Sequence, residues 1–444
     1  MKNNLVLNPV KKKFKKNKIN IYLGKWYYKG YLNNDYKVIS SKSNNLAFNN
    51  SKKEFFYLNK KYNEKIKYFK KFLNKIHNLN ESTRFWEIII GPFIYRSLVI
   101  LWNKWSALNY CLSNERIDEL NISNYNYRNF ITSEYYELLI NSSDKYFHDF
   151  LYSEALKILL KKKSKNKIKV NFYKINNVFI KKLKFKKVNF FLKMLNSIYC
   201  KIVGCQKFFF YRTYFTAKFN IFFNFKLLNL PCHIFELEQT IKKNKNFSDI
   251  RSMPVNFKIT NDFDKYYNEI ILKILPMSYL ENFEHIRNLT NKIQIKPKII
   301  FTASAHKSND NFKIWAAGKL NLGSKLIVSD HGGNPEEMKD FFTSRIYNKY
   351  IKWEKSKNKK IVQLPPNLFL KREKIKKIAS DKVLILLTCA DLYKCNFFDR
   401  NENDFEDYVK LRRFVNSFEK KRRDKFYFKI HPSSPMKKVI IENI

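Results

Sequence analysis

Residues Lys298–Glu337 read KIIFTASAHKSNDNFKIWAAGKLNLGSKLIVSDHGGNPEE, and this stretch decides the fold. The apolar run Ile299–Phe301 predicts a short buried strand, and Lys325–Ser329 predicts a second one. Between them, the polar loop Thr302–Asn309 leads into a helix. We expect Asp310 to cap that helix, because apolar residues then recur at helical spacing. Strand, helix and strand within about thirty residues are typical of a βαβ crossover, which makes the two strands parallel.

Two histidines follow the predicted parallel strands. His306 lies in the loop after the first strand, and His331 follows Asp330 directly after the second. Ligands of open parallel sheets bind beyond the carboxyl ends of the strands, so we expect both imidazoles at one edge of the sheet. Gly332 and Gly333 come next in a chain that has only 8 glycines, and they allow positive φ and close approach of a ligand. A tight turn with a bystander histidine is the plainer interpretation.

A second strand–helix–strand pattern lies near the end of the chain. The apolar run Lys382–Thr388 predicts a buried strand, Asp404 begins an amphipathic helix, and Phe426–Ile430 predicts the next strand. The loop after that strand reads His431-Pro432-Ser433-Ser434. Hydroxyl groups, free backbone amides and cations are what a phosphate group needs, so this loop is the expected donor-phosphate site.

We divide the chain at a charged, proline-containing stretch that precedes this second pattern. Residues 1–18 are predicted to be a basic arm, and 19–363 an N-terminal α/β domain on the acceptor side with helical and lysine-rich insertions. Residues 364–376 are a linker, and 377–444 are the start of a C-terminal nucleotide-donor domain. Because a nucleotide-binding domain needs on the order of 100 residues, we expect this last domain to be truncated.

The charge balance is strongly basic, with 87 Lys and Arg against 38 Asp and Glu, a formal net charge of +49. Such a charge invites a nucleic-acid-binding interpretation. However, the abundant residue types (Lys, Asn, Ile, Phe and Tyr) share AT-rich codons, and arginine, which makes bidentate contacts, is a minority of the basic residues. We therefore attribute the lysine surplus mainly to genome composition and do not expect nucleic acid as a partner. Attraction to anionic headgroups follows from the charge in either case.

Several kinds of site lack their motifs. The six cysteines show no CxxC and no paired histidine spacing, which argues against zinc and against a disulfide framework. No GxSxG, GxGxxG or Walker A motif occurs and no DxD stands at a strand end, so neither a cofactor nor a metal is expected. The run Trp86–Leu112 is interpreted as a buried helix entered through Gly91-Pro92, not as a membrane span. We expect a cytoplasmic protein, whose charge allows peripheral contact with an anionic membrane.

The two histidine loops differ in charge, and the difference suggests their roles. Two lysines follow the His431 loop within a few residues, whereas two glutamates follow His331 and would repel phosphate. We therefore assign the donor phosphate to the His431 loop. We assign acceptance of a proton from the attacking hydroxyl to His331, with Asp330 beside it. Two ordinary histidines at a sheet edge are the plainer alternative.

Four short motifs are recognisable together. They are Ile21-Tyr22-Leu23-Gly24-Lys25-Trp26, Arg84-Phe85-Trp86-Glu87-Ile88-Ile89-Ile90-Gly91-Pro92-Phe93, Ser329-Asp330-His331-Gly332-Gly333 and Lys429-Ile430-His431-Pro432. As a set they resemble the transferases of bacterial O-antigen and surface-polysaccharide gene clusters, over nearly the whole chain. The resemblance implies a bacterial protein in the cytoplasm or peripheral at the inner membrane. It also implies a nucleotide-sugar donor and a carbohydrate or lipid-linked acceptor. The His-Pro pair is also similar to one that polysialyl- and capsule-type transferases use at the donor phosphate, which carries over to His431 and Pro432.

The expected fold is α/β and GT-B-like, with two Rossmann-like domains facing a cleft and the C-terminal domain truncated. Gly24, His306, Gly332 and Gly333 are expected to line the cleft. The expected function is metal-independent sugar transfer in O-antigen or surface-polysaccharide biosynthesis. A glycerophosphotransferase acting on CDP-glycerol is an alternative within the same fold. A non-enzymatic basic nucleic-acid-binding protein and an inactive fragment are alternatives of other kinds.

Overall fold

The structure is a computed structural model, and it shows a mixed α/β protein with parallel sheets. It describes residues 2–7, 18–23, 36–38, 51–162, 168–176, 206–230, 248–253, 257–293, 295–330, 340–365, 381–387 and 404–430, and the single residues 178, 194, 198, 255, 367, 395 and 397.

The first sheet has five strands in the order β3-β2-β1-β4-β5, and every neighbouring pair is parallel. They are β1 (Lys2–Val6), β2 (Lys18–Tyr22), β3 (Tyr36–Val38), β4 (Glu119–Asn124) and β5 (Lys169–Lys174). This is the doubly wound order, which reverses direction between β1 and β4. Residues 2–6, part of the basic arm predicted at residues 1–18, form the central strand β1. The strand is hydrogen-bonded on both sides, and its Leu5 side chain is fully buried.

The second sheet contains the predicted βαβ unit. Its strands are β6 (Phe208–Tyr211), β7 (Ile299–Thr302), β8 (Lys325–Ser329), β9 (Lys349–Lys352) and β10 (Ile361–Gln363). They lie in the order β10-β9-β8-β7-β6, all parallel. Strand β7 pairs in parallel with β8, with Ile299 opposite Lys325, so the predicted crossover is confirmed. All five carboxyl ends therefore lie along one edge, which we call the carboxyl edge of the second sheet.

The third sheet is the parallel pair β11 (Val383–Leu387) and β12 (Phe426–Ile430), with a helix at Asp404–Asn416 between them in sequence. This confirms the second predicted strand–helix–strand pattern. The prediction that β11 is buried is wrong, since Val383, Leu384 and Leu386 are exposed. A two-stranded sheet has two faces, and the described residues leave these β11 side chains uncovered.

The helices of the described residues are α1 (Ser51–Ile76), α2 (Thr83–Asn114), α3 (Tyr135–Asn141), α4 (Lys145–Lys162), α5 (Ala217–Lys226), α6 (Ser248–Ser252), α7 (Asp262–Ile270), α8 (Phe283–Asn291), α9 (Ala305–Ser308), α10 (Asp310–Asn321), α11 (Thr343–Ile346), α12 (Asp404–Asn416) and α13 (Lys420–Arg423). Two 3₁₀ turns lie at Tyr127–Phe130 and Met277–Tyr279.

Helix α2 is the centre of the core. It packs against α1, α4, α7 and α10, so it contacts the helical layers of both large sheets. Ser82 caps it by accepting a hydrogen bond from the Phe85 N–H at 3.1 Å. Gly91 and Pro92 therefore lie inside the helix. The prediction that the helix is entered through Gly91-Pro92 is wrong. By length and composition α2 would be able to cross a membrane, but its apolar window is wholly buried within the protein.

Candidate active site

The structure describes two of the predicted site residues, Asp330 and His306. The other predicted residues lie outside the described part of the chain: Gly24, His331, Gly332, Gly333, His431, Pro432, Ser433 and Ser434. Their roles stay predictions. The described residues before and after the His331 loop, and those before the His431 loop, therefore define what the site is built on.

Asp330 leaves the second sheet at its carboxyl edge. Its backbone N–H donates to the carbonyl oxygen of Ile351 in β9 at 2.8 Å, which extends the ladder one residue past β8. Asn367, in the predicted linker, is buried across this edge. Its side-chain amide donates to the Ser329 hydroxyl at 2.8 Å and to the carbonyl oxygen of Thr213 at 2.7 Å. The sequence did not predict this clamp, which joins the chain after β6 to the end of β8.

His306 follows β7, in helix α9, but its side chain is only 1% exposed. Neither ring nitrogen has a hydrogen-bond partner in the described residues. Burial, together with the positive charges of Lys307 and Lys313, holds the pKa of His306 well below its ordinary value, so the ring is neutral at neutral pH. The sequence predicts this imidazole at the carboxyl edge of the sheet, whereas the structure encloses the ring, so it is not open to solvent. Helix α9 packs against α2 and the ring is buried in the protein.

Lys307, the neighbour of His306 in helix α9, forms an ion pair with the segment that follows the His331 loop. Its ammonium group lies 3.6 Å from a carboxylate oxygen of Asp340, the first described residue after the His331 loop. Asp340 in turn accepts hydrogen bonds from the Thr343 N–H at 2.7 Å and from the Thr343 hydroxyl at 2.8 Å. Because Lys307 is exposed, the ion pair contributes little energy. It shows instead that helix α9 lies beside the segment that begins at Asp340.

Helix α10 is capped by Asn309, whose side-chain oxygen accepts a backbone hydrogen bond of the first turn at 2.7 Å. The prediction that Asp310 caps this helix is therefore wrong. Asp310 instead pairs with Lys313 at 2.7 Å, and both side chains are fully buried. Its carboxylate also accepts hydrogen bonds from the Ser278 hydroxyl, from the Tyr279 hydroxyl at 2.8 Å and from the Tyr135 N–H at 2.9 Å. This network ties the start of α10 to α3 and to the second 3₁₀ turn.

One face of helix α2 holds the segment 340–348, which follows the His331 loop. This face, the α2 stripe, consists of residues spaced by three or four: Arg84, Glu87, Gly91 and Tyr95. A guanidinium nitrogen of Arg84 donates to the carbonyl oxygen of Ile346 at 2.8 Å and to the side-chain oxygen of Asn348 at 3.0 Å. The first member of the stripe thus binds the chain between α11 and β9.

Glu87 is a buried carboxyl group in the middle of the α2 stripe. It accepts a hydrogen bond from the Tyr62 hydroxyl at 3.1 Å and lies 3.5 Å from the guanidinium of Arg345. Burial raises the pKa of Glu87, while Arg345 and the Tyr62 hydroxyl oppose that shift. Arg345 also donates to the side chains of Asn63 and, at 3.0 Å, Asn59. Helices α1 and α2 together therefore hold α11 in place.

Gly91 and Tyr95 complete the stripe by close packing. A Cβ atom at Gly91 would lie 2.8 Å from the Tyr62 hydroxyl oxygen and 3.1 Å from the Cβ of Phe342. Any larger residue would therefore push Phe342 or Tyr62 away. The Tyr95 ring meets Phe341 edge to face, with centroids 5.0 Å apart. Arg84, Glu87 and Gly91 belong to one of the motifs that carry the family resemblance. Only the structure shows that all three contact the segment 340–348.

The chain that leaves β11 also reaches the α2 stripe. Cys395 and Phe397 are both buried. The Phe397 N–H donates to the Tyr95 hydroxyl at 3.2 Å, and the Cys395 thiol donates to a backbone oxygen at 3.3 Å. The Phe55 ring of α1 contacts both Phe341 and Phe397, with centroids 5.0 and 5.4 Å apart. Segments that follow strands of two different sheets therefore meet on one side of α1 and α2.

Across the residues that the structure describes, no group of three or more His, Cys, Asp or Glu is arranged to hold a metal ion. What the described residues provide is a scaffold: the ends of β8 and β11 are followed by segments fixed on a common helical surface. Such a scaffold is suited to holding two loops against one ligand.

Comparison with known proteins identifies the family of the chain. No curated protein and no solved structure matches it. The family model described as "LIC12162 family transferase" matches residues 3–444, a span that includes all three parallel sheets, the α2 stripe and both predicted histidine loops. Since the match covers almost the entire sequence, the chain belongs to the LIC12162 family of transferases.

Proposed function

We propose that this transferase moves a sugar from a nucleotide-activated donor to a carbohydrate or lipid-linked acceptor in the biosynthesis of O-antigen or another surface polysaccharide. The proposed arrangement is GT-B-like, with Rossmann-like units facing a cleft. The observation that carries the proposal is the meeting of Phe341 and Phe397 on Phe55. Phe341 lies beyond the carboxyl end of β8, and Phe397 lies beyond that of β11. Parallel sheets bind ligands at the carboxyl ends of their strands. The contact therefore favours a single ligand-binding cleft between the unit that contains β8 and the unit that contains β11.

In the proposed reaction an acceptor hydroxyl attacks the anomeric carbon of the donor sugar. The bond from that carbon to the phosphate oxygen breaks, and the nucleotide leaves. His331, beside Asp330, takes the proton of the attacking hydroxyl. The loop from His431 to Ser434 holds the donor phosphate through its hydroxyl groups and backbone amides, which stabilise the charge that develops on the leaving oxygen. The proposal requires no metal ion.

Release of nucleotide from a donor panel tests the proposal. The panel contains nucleotide sugars with cytidine, uridine, guanosine and thymidine bases, and CDP-glycerol. We expect turnover of a nucleotide sugar, and a loss of about 100-fold or more in His331→Ala and His431→Ala, the usual scale for removing an acid–base or phosphate-binding group. His285→Ala, in helix α8, is the matched control and should retain activity.

Each other outcome contradicts the proposal in a different way. Turnover of CDP-glycerol alone would assign the protein to glycerophosphate transfer. Steeply salt-dependent nucleic-acid binding, unchanged in both histidine variants and without turnover of any donor, would make it a basic binding protein. Turnover that survives both histidine substitutions would remove the proposed site from the reaction.

A further inference from the structure

Helix α5 is apolar on two faces, and within the described part of the chain only one of these faces has aromatic packing partners. On the inner face, the rings of Phe219 and Phe223 stack at 5.5 Å. Phe223 contacts Phe210 of β6 at 5.3 Å, and Phe215 stacks on Phe301 of β7 at 5.6 Å. These contacts cover one face of the second sheet at β6 and β7. A helix that needed only to cover this face would carry polar residues on its outer side.

The outer face of α5 and the turn after it carry large apolar side chains in solvent. We call this set the α5 surface, and its exposed apolar members are Tyr214, Ile221, Phe222, Phe225, Leu228 and Leu230. Phe222, Phe225 and Leu228 follow one another at intervals of three residues and are 50, 58 and 98% exposed. Contiguous apolar surface of this kind is rare on soluble monomers and marks a place of interaction.

Leu228 is held outward by the fold and is not a frayed helix end. Its φ is +52°, in the left-handed region, which costs free energy for any residue that has a Cβ atom. The next residue, Asn229, is buried and clamps the turn to strand β6. Its side chain accepts a hydrogen bond from the Phe208 N–H at 3.3 Å and donates to the Phe208 carbonyl oxygen at 3.0 Å. The fold thus maintains a strained, exposed leucine at the tip of the α5 surface.

The sequence segment that forms the α5 surface carries charges of one sign. Between Gln206 and Leu230 there are four basic residues and no Asp or Glu. Lys218 and Lys226 are exposed at the two ends of α5, and the Lys226 ammonium lies 5.1 Å from the centre of the Phe222 ring. Aromatic and aliphatic side chains flanked by lysines are the composition of a helix that lies in the interface of an anionic membrane. Two copies of this surface facing each other would repel, which argues against self-association.

We propose that the α5 surface docks on an anionic lipid bilayer. Phe222, Phe225 and Leu228 enter the boundary between headgroups and acyl chains, and Lys218 and Lys226 contact lipid phosphates. The α5 surface begins at Tyr214, which directly follows Thr213. The Asn367 side chain links Thr213 to Ser329 at the carboxyl edge of the second sheet. Docking would therefore bring this edge towards the lipid. The proposal stands on exposure and charge and does not depend on the proposed sugar transfer.

Cosedimentation with lipid vesicles tests the proposal, using phosphatidylcholine alone and phosphatidylcholine mixed with phosphatidylglycerol. We expect the wild-type chain to bind the mixed vesicles at least tenfold more tightly than the neutral ones. The triple variant Phe222→Ser/Phe225→Ser/Leu228→Ser should lose at least tenfold in binding. Lys218→Gln/Lys226→Gln should reduce the preference for anionic lipid severalfold, since each lysine near the surface adds to the attraction.

The control removes as many exposed apolar side chains elsewhere: Phe56→Ser/Phe172→Ser/Leu322→Ser. It should bind vesicles like the wild type, and circular dichroism should show that both triple variants are folded. Absence of wild-type binding, unchanged binding of the α5 triple variant, or an equal loss in the control would each overturn the proposal. If the wild type is a dimer that the α5 triple variant makes monomeric, without vesicle binding, the surface belongs to a second copy instead. Nucleotide release plays no part in this readout, so the two proposals fail separately.

Discussion

Asp310 and Lys313 form an ion pair of 2.7 Å in which neither side chain has any exposed surface. A buried pair of this kind is stable only when further hydrogen bonds satisfy its remaining polar atoms. The Tyr279 hydroxyl does this for both charges. It donates to Asp310 at 2.8 Å and lies 2.7 Å from the Lys313 ammonium. The pair thus fixes the start of α10, directly after helix α9, which contains His306.

Lys313→Met should destabilise the protein strongly. The substitution removes the ammonium and leaves the Asp310 carboxylate buried without its counter-charge, which costs about 3–5 kcal/mol. The double variant Asp310→Asn/Lys313→Met should be less destabilised than the single variant, because no buried charge is left. Urea unfolding gives the free energies. The control is Lys425→Met, which breaks the solvent-exposed pair with Asp381 and should leave stability close to wild type. Equal losses in the single and double variants would contradict the argument.

His306 should make the folded state sensitive to acid. Its pKa is lowered in the fold by burial and by Lys307 and Lys313, while the unfolded chain takes up a proton near pH 6.5. Below that pH the unfolded state binds more protons, so the free energy of unfolding falls as the pH falls. His306→Leu should flatten this dependence between about pH 7 and 5, as measured by urea unfolding at a series of pH values. The dependence should not vanish, because burial also lowers the pKa of His77 and His148. A slope identical to wild type would show that folding does not lower the pKa of His306.

Gly91→Ala and Gly318→Ala should have opposite effects on stability. Both glycines lie inside helices, where alanine is normally preferred by about 0.5–1 kcal/mol. A methyl group at Gly318 would meet no atom within 4 Å, so that preference should appear as a gain. At Gly91 the new methyl would collide with Tyr62 and Phe342, so we expect a net loss of about 1–3 kcal/mol. Thermal melting of the two variants decides this, and a gain at both positions would mean that Phe342 is not held against the α2 stripe.

Tyr95→Phe should loosen the chain that follows β11. The change removes the hydroxyl that accepts the Phe397 N–H, a bond that contributes about 1 kcal/mol, or about fivefold in the population of the undocked segment. Cys395 is buried two residues away, so its thiol should react about fivefold faster with a thiol reagent. Site-resolved mass spectrometry measures this rate. Cys111, buried in α2, is the internal control and should react at the wild-type rate. Equal acceleration at both cysteines would indicate general destabilisation and not local undocking.

Local sequence patterns were sufficient where an element's neighbours are close in the chain. The βαβ unit around Asp310 and the pair β11 and β12 were predicted because alternating apolar runs and helical spacing are local properties. The same patterns failed for β1. Its five residues carry little apolar character, and they are a strand because β2 and β4 pair with them on either side. The prediction of the α10 cap failed for a related reason. Asn309 and Asp310 are both good capping residues, and only the buried partners of Asp310 distinguish them.

The sequence by itself determined that this protein is built from parallel α/β units, that a long buried helix lies within it, and that its motifs are those of a transferase. Only the tertiary structure decided that His306 is enclosed, that Asp310 and Lys313 are a buried pair, and that Phe341 and Phe397 share one contact on Phe55. The physical reason is the range of the interactions. Periodicity and capping act over a few residues, whereas burial and ion pairing depend on side chains that folding brings together from distant parts of the chain.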